Sequence, residues 1–312
     1  MRAITFSSYG GPEVLELADL PRPVPGEGQA LVRVAATSFN PVDGTIRAGY
    51  LQQVFPLRLP HVPGFDLAGT VAAVGPGGPE ELVGEDVVAF LPMTEPGAAA
   101  EYVVAPVELL TGAPRSVPLA DAAALPSAGL TAWQALTEHA DLRAGQRFLV
   151  NGAGGGVGGY AVQLAADLGA TVIATASPRS TAAVTAAGAD QVIDYTRAPV
   201  VEAVTEPVDS VLNLVGTTPD ELAALSGLVR PGGVVVSTTT PGEDDAAREV
   251  RASSVFVRSD AAQLAHLVEL VDAGTLQLDV SARFPLEQLA EVHALGEAGG
   301  LRGKAVITVG ES

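Results

Sequence analysis

A chain of 312 residues that is 47% hydrophobic but only 4% aromatic has room for two domains, with cores built mainly from Ala, Val and Leu. Its net charge is −19, and of its 17 basic residues only Lys304 is a lysine, a balance that disfavours nucleic acid and anionic membrane as partners. Cysteine is absent, which excludes disulfides, thiolate catalysis and thiolate zinc sites.

The first third reads as β-rich. Arg2 to Phe6, Val14 to Ala18, Ala30 to Ala36, Leu67 to Val74, Val87 to Leu91 and Glu101 to Ala105 are short runs separated by turn residues. Asn40 before Pro41 marks a helix start between the third and fourth of these. From Leu119 helices alternate with strands, and FLV, TVIAT, QVID, VDSVLNLV and GGVVVST are successive sheet candidates. The stretch Phe148 to Thr175 is a βαβ unit around a glycine turn. Ala153, Gly155 and Gly158 take the three places of the dinucleotide fingerprint, so Gly155, Gly156, Val157 and Gly158 are expected to carry a pyrophosphate on the helix N-terminus. The PGEDDAARE stretch from Pro241 is predicted as a surface loop.

After Val257 the spacing of Leu264, Leu267, Val268 and Val271 predicts a helix, followed by a short strand, a helix from Leu286 and a closing strand Ala305 to Val309. This tail has no further βαβ repeat and is expected to complete the first domain. The predicted division is therefore 1–118 plus 258–312 for a β-rich substrate domain and 119–257 for the nucleotide domain. No apolar run approaches membrane-spanning length and MRAITFSSYGG has no signal pattern, so a soluble, cytoplasmic protein is expected.

Several segments together resemble the medium-chain dehydrogenase/reductase superfamily in its zinc-independent, quinone oxidoreductase-like branch: NPVDGTIRAGY, VPGFDLAGTVAAVG, AALPSAGLTAWQAL, the glycine motif, DSVLNLVG, RPGG and RGKAVITV. The resemblance implies a Rossmann domain, a doubly wound parallel sheet, inserted into a GroES-like β-rich domain. In zinc-dependent members Cys, His and Cys stand where this chain has Asn40, Phe65 and Ser127, and Asp66 alone makes no tetrahedral site, so no metal is expected. Gly44 and Thr45 replace a Trp-Lys pair usual in close relatives, which puts the shape of the substrate pocket in question.

Asn40 reads either as a helix cap or, by resemblance, as a polar group facing nicotinamide ribose or substrate. Asp43 is expected to support the helix or Arg47. Tyr50 is expected to line the pocket and hydrogen-bond a substrate carbonyl, and Trp133 to sit in the core. Thr131 and Tyr195 resemble family positions beside the nicotinamide and near the adenosine phosphate. Val215, Gly216 and Thr217 are expected to pass under the nicotinamide. Ala176 stands where an NAD-type fold has an acidic ribose ligand, with Ser177 and Arg179 after it, which points to NADPH. The histidines share no ligand spacing and are expected to be structural.

These readings converge on an NADPH-dependent, zinc-free homodimeric oxidoreductase. It would reduce quinones or the C=C bond of α,β-unsaturated carbonyls, with Tyr50 and Asn40 orienting the acceptor. Two alternatives stand beside it: a biosynthetic enoyl or polyketide reductase with a pocket widened at Gly44-Thr45, and an NADPH-sensing binding protein without turnover.

Overall fold

The computed structural model describes residues 1–310. After a short antiparallel pair, β1 (Arg2–Thr5) and β2 (Glu16–Asp19), come β3 (Gln29–Ser38), α1 (Pro41–Arg47), β4 (Asp66–Val74), β5 (Asp86–Phe90), β6 (Tyr102–Pro106), β7 (Thr111–Gly112), α2 (Leu119–Ala122) and α3 (Pro126–Gln134). The alternating part follows: β8 (Arg147–Asn151), α4 (Gly156–Asp167), β9 (Thr171–Ala176), α5 (Thr181–Ala186), β10 (Gln191–Asp194), α6 (Val200–Ala203), β11 (Val208–Asn213), α7 (Pro219–Ser226), β12 (Val229–Ser237) and β13 (Arg251–Ser254). The last elements are α8 (Ala261–Asp272), β14 (Val280–Pro285), α9 (Leu289–Glu297) and β15 (Lys304–Thr308). Where a strand was expected from Val14, Pro12–Val14 form a single 3-10 turn, because Pro12 pre-sets φ and donates no ladder hydrogen bond.

The chain divides into two compact units: Met1–Ser127 with Ser259–Gly274 and Leu278–Ser312, and Ala128–Arg258 with Thr275–Gln277. The crossover lies at Ser127, later than the predicted 118. The reason is α2, which packs on β3 and β4 and whose Asp121 carboxylate accepts both Nε and Nη2 of Arg283 on β14, each at 2.7 Å. That bidentate pair ties residues 119–127 to the first unit.

The first unit is a seven-stranded sheet in the order β14-β15-β3-β4-β5-β7, with β6 also pairing β3. β3 pairs antiparallel with both β15 and β4. Antiparallel pairing brings the end of one strand beside the start of the next, so Ser38 at the end of β3, Asp66 at the start of β4 and Lys304 at the start of β15 gather at one end of the sheet. Long-range ladder geometry makes this meeting; sequence distance does not.

The second unit is a parallel six-stranded sheet in the order β10-β9-β8-β11-β12-β13. Counting its strands along the chain gives 3-2-1-4-5-6, the doubly wound Rossmann order. Leu149, Ile173, Val211 and Val235 pack with Leu222 and Leu225 of α7 in its core. Apolar residues this continuous along a strand are what a sheet covered on both faces requires. The order reverses between β8 and β11, and ligands of such sheets bind beyond the strand ends at that switch point.

Candidate active site

In the second unit, α4 begins immediately beyond β8, with Gly155 as N-cap and no side-chain capping bond. Its first N–H groups are therefore left for an anion. Gly158 is required by close approach, since a Cβ there would lie 2.4 Å from Gly152 O. Gly152 has φ +100°, and its missing Cβ makes room for Val215 Cγ1, which a side chain would meet at 2.8 Å. The glycine turn and the loop after β11 are thus packed on one another.

A chain of neutral polar groups runs beneath both. Asn151 Nδ2 donates to Asn213 Oδ1 at 2.9 Å, directly across the switch point between β8 and β11. Thr175 Oγ1 donates to Asn151 Oδ1 at 3.0 Å and accepts from Gly152 N at 2.8 Å. On the other side Asn213 Nδ2 reaches Val215 O at 2.9 Å and Ser237 Oγ at 3.3 Å, and Thr239 Oγ1 donates to Val215 O at 2.7 Å. Thr240 Oγ1 donates to Thr217 O at 2.7 Å. Gly155, Gly156, Val157, Gly158, Val215, Gly216 and Thr217 therefore stand on one polar footing built from four strand ends. Sequence reading passed over Asn151, Thr175 and Asn213, whose only signal was their place at the ends of apolar strands.

Ser177, Arg179 and Tyr195 follow the ends of β9 and β10, which the ladder places side by side through Asp194 and Ala176. Ala176 is buried, Ser177 half-buried, Arg179 and Tyr195 exposed, and Tyr195 N donates to Ala176 O at 3.4 Å. Ser177 O accepts from Thr181 Oγ1 at 3.0 Å. Thr131 is half-buried on α3. Trp133, expected in the core, is half-buried.

The first unit holds a charged cluster. Asp66, fully buried, accepts from Ser38 Oγ at 2.5 Å, Asn40 Nδ2 at 2.8 Å, Ser127 N at 2.7 Å and Ser127 Oγ at 2.9 Å. Lys304 Nζ donates to Asn40 Oδ1 at 2.6 Å and Phe39 O at 3.1 Å, and lies 3.4 Å from Asp66 Oδ2. An ammonium only donates, so Asn40 must present its oxygen to Lys304 and its nitrogen to Asp66. Asn40 opens α1 as the cap reading held, and Asp43 Oδ2 accepts its N–H at 2.9 Å. Burial, reinforced by the charge of Asp66, pushes the Asp43 carboxyl up to about 7.

Asp43 does not pair with Arg47. The Arg47 guanidinium instead donates to His293 Nδ1 at 3.0 Å, Gly10 O at 3.1 Å and Glu297. Burial, with the Arg47 charge beside it, pulls the His293 imidazole down to about 3, and burial pulls His61 to about 4; both are neutral core histidines. Gly44 faces Glu297 of α9, whose carboxylate oxygen a Cβ would meet at 3.0 Å. A small hollow of about 10 Å³, open to solvent, is lined by Asp43, His61, Phe65, Met93 and their neighbours. Gly44, Thr45 and Tyr50 are not among its walls. Tyr50 follows the last turn of α1 and is 83% exposed.

The family model of zinc-binding dehydrogenases matches residues 187–307, and that of the alcohol dehydrogenase GroES-like domain residues 26–115. A zinc ion does not suit the residues here. The places of its ligands hold an amide, a phenyl ring and a hydroxyl, and the neighbouring carboxylate is committed to four hydrogen bonds and an ammonium. A chloroplast envelope quinone oxidoreductase homolog of Arabidopsis thaliana is 34% identical over 98% of both chains. A chloroplastic NADPH-dependent alkenal/one oxidoreductase of the same plant is 32% identical over 98% of this chain and 79% of its own. The quinone oxidoreductase structure from Coxiella burnetii superposes with a TM-score of 0.91 at 34% identity, covering 99% of both chains. With its switch-point crevice, its GroES-like sheet and these relatives, the chain is an oxidoreductase and belongs to the quinone oxidoreductase-like branch of the medium-chain dehydrogenase/reductase superfamily.

Proposed function

We propose that the enzyme transfers hydride from NADPH to a quinone, or to the β-carbon of an α,β-unsaturated carbonyl, without zinc. The observation that carries the cofactor choice is the end of β9. Ala176 is buried where a carboxylate would repel a 2′-phosphate, and Ser177, Arg179 and, one strand over, Tyr195 follow the adjacent strand ends. Guanidinium suits a phosphate through charge-assisted hydrogen bonds.

In this reading the uncapped turn Gly155, Gly156, Val157 and Gly158 holds the pyrophosphate. Thr131, Val215, Gly216 and Thr217 line the nicotinamide side. The cofactor supplies the hydride when bound. Asn40 and Tyr50 donate hydrogen bonds to the acceptor carbonyl and stabilise the oxyanion that develops, and water returns the proton. A homodimer is also proposed: β13 is an edge strand of the parallel sheet, a place where a second copy can pair.

An NADPH-consumption screen over quinones, enones and enoyl thioesters, with product identification, tests the acceptor class. Loss of the Arg179 contact should raise the Michaelis constant for NADPH about 10-fold or more while NADH kinetics stay unchanged. Equal use of NADH and NADPH, with Arg179→Ala and Ala176→Asp both silent, would sink the cofactor assignment. Tight NADPH binding with no oxidation across the three acceptor classes would leave the binding-protein reading in its place.

A further inference from the structure

We infer that Lys304 is a positioning residue for Asn40: a cation carried by the chain itself sits among residues 40, 66 and 127, holds the Asn40 amide by its oxygen and polarises the amide hydrogen that remains. The inference rests on the proposed reading in which Asn40 faces the reacting groups. It concerns the place where zinc-dependent relatives keep their metal, which in this chain is served by a side chain 2% exposed.

Charge neutralisation alone does not account for the geometry. A buried ammonium needs a counter-charge, and Asp66 provides it. Yet Nζ is 2.6 Å from the neutral oxygen of Asn40 and 3.4 Å from the carboxylate. The Asp66 Oδ2 atom is already occupied by Ser38, Asn40 and Ser127, so the ammonium has been left the amide as its closest partner. The three acceptors of Nζ (Phe39 O, Asn40 Oδ1 and Asp66 Oδ2) match its three N–H bonds. This also explains why the chain's one lysine stands here while every other basic residue is an arginine. A compact point charge fits a pocket of three converging oxygens, whereas a planar fork does not.

The consequence for Asn40 follows from its own inventory. Oδ1 accepts from Lys304 at 2.6 Å; one Nδ2 hydrogen goes to Asp66, and the second is uncommitted. Donors on the oxygen draw electron density from the nitrogen, so the free hydrogen becomes a stronger donor whose direction cannot rotate away.

Two measurements test this. Because Lys304 is the one lysine, protein labelled with [15N]lysine gives a single side-chain ammonium resonance. It should exchange slowly with water and shift in Asn40→Ala; a signal in fast exchange overturns the inference without any Lys304 variant having to fold. The second compares Lys304→Met, Lys304→Met/Asp66→Asn and Asn40→Ala in thermal unfolding, NADPH affinity and turnover on the best acceptor. Lys304→Met should lower both melting temperature and kcat, the latter about 10-fold or more, the scale of a charge-assisted hydrogen bond, with NADPH affinity unchanged. The double variant, with no charge left to bury, should recover stability but not kcat. Recovery of wild-type kcat in the double variant overturns the inference. So does wild-type kcat in folded Lys304→Met when Asn40→Ala is impaired, whereas unchanged turnover in Asn40→Ala as well refutes the underlying reading of Asn40.

Discussion

Each unit carries its polar groups at the end of a sheet, but the two are wired differently. The first unit converges four hydrogen bonds on one carboxylate, Asp66, and balances it with Lys304. The second strings neutral amides and hydroxyls, from Thr175 through Asn151 and Asn213 to Ser237, across four adjacent strands. A charged knot is closed, because every lone pair of its centre is needed to offset burial. A neutral ladder tolerates a missing rung and leaves its outer groups to the loops above it, which suits a surface that receives a ligand.

The difference can be broken from the charged side first. Asp66→Ala leaves Lys304 buried with no counter-charge and should cost about 3–5 kcal/mol, read as a lower denaturant midpoint. A loss of less than about 1 kcal/mol, the scale of an exposed pair, would mean the cluster is wetter than its burial implies. On the neutral side Asn213→Ala strands the Asn151 amide and should cost about 1–3 kcal/mol, and weaker NADPH binding should accompany it because Val215 loses its anchor. Undiminished NADPH affinity in a destabilised Asn213→Ala protein would separate the ladder from the cofactor loop.

A pH series sharpens the contrast. His61 and His293 have folded values below their unfolded one, so the unfolded chain holds more protons. Their stability is present above about pH 6.5 and is lost as pH falls toward 4 and 3. Asp43 runs the other way. Its folded value near 7 exceeds the unfolded value, so its contribution is full at low pH and is lost as pH rises through 7. Between pH 5 and 6 the two histidines and Asp43 leave a net rise of about 1.4 kcal/mol per pH unit. Asp43→Asn, which still accepts the Asn40 N–H, should steepen that rise about two-fold. An unaltered slope in urea titrations at the two pH values would show that Asp43 is ionised in the native protein. The smallest effect is expected for Ser237→Ala, which removes one 3.3 Å rung and should cost about 0.5–1.5 kcal/mol with unfolding still cooperative.

How much of this was readable beforehand depended on distance along the chain. The βαβ unit around Gly155 was legible because strand, turn and helix are contiguous and their periods differ. The helix carrying Leu264, Leu267, Val268 and Val271 was legible for the same reason, and those four residues are its buried face. The partners of Lys304 were not, since Asn40 is 264 residues away and only the β15-β3-β4 ladder joins them. RGKAVITV was noticed as a family mark, without any hint that its lysine was internal. Gly44 lies about one helical turn beyond Asn40 and faces Glu297 of α9, while Tyr50 lies past the end of α1 and is exposed.

The burial of the chain's one lysine gives the folded protein an unusual chemical silence toward reagents that acylate ε-amino groups. Modification at residue 304 requires the charged knot to come apart, so the rate at which a slow amine-directed reagent marks that position is a clock for local opening at this end of the sheet. Bound ligand that tightens the knot should slow the clock, a gauge of occupancy that needs neither turnover nor a spectroscopic change in the cofactor.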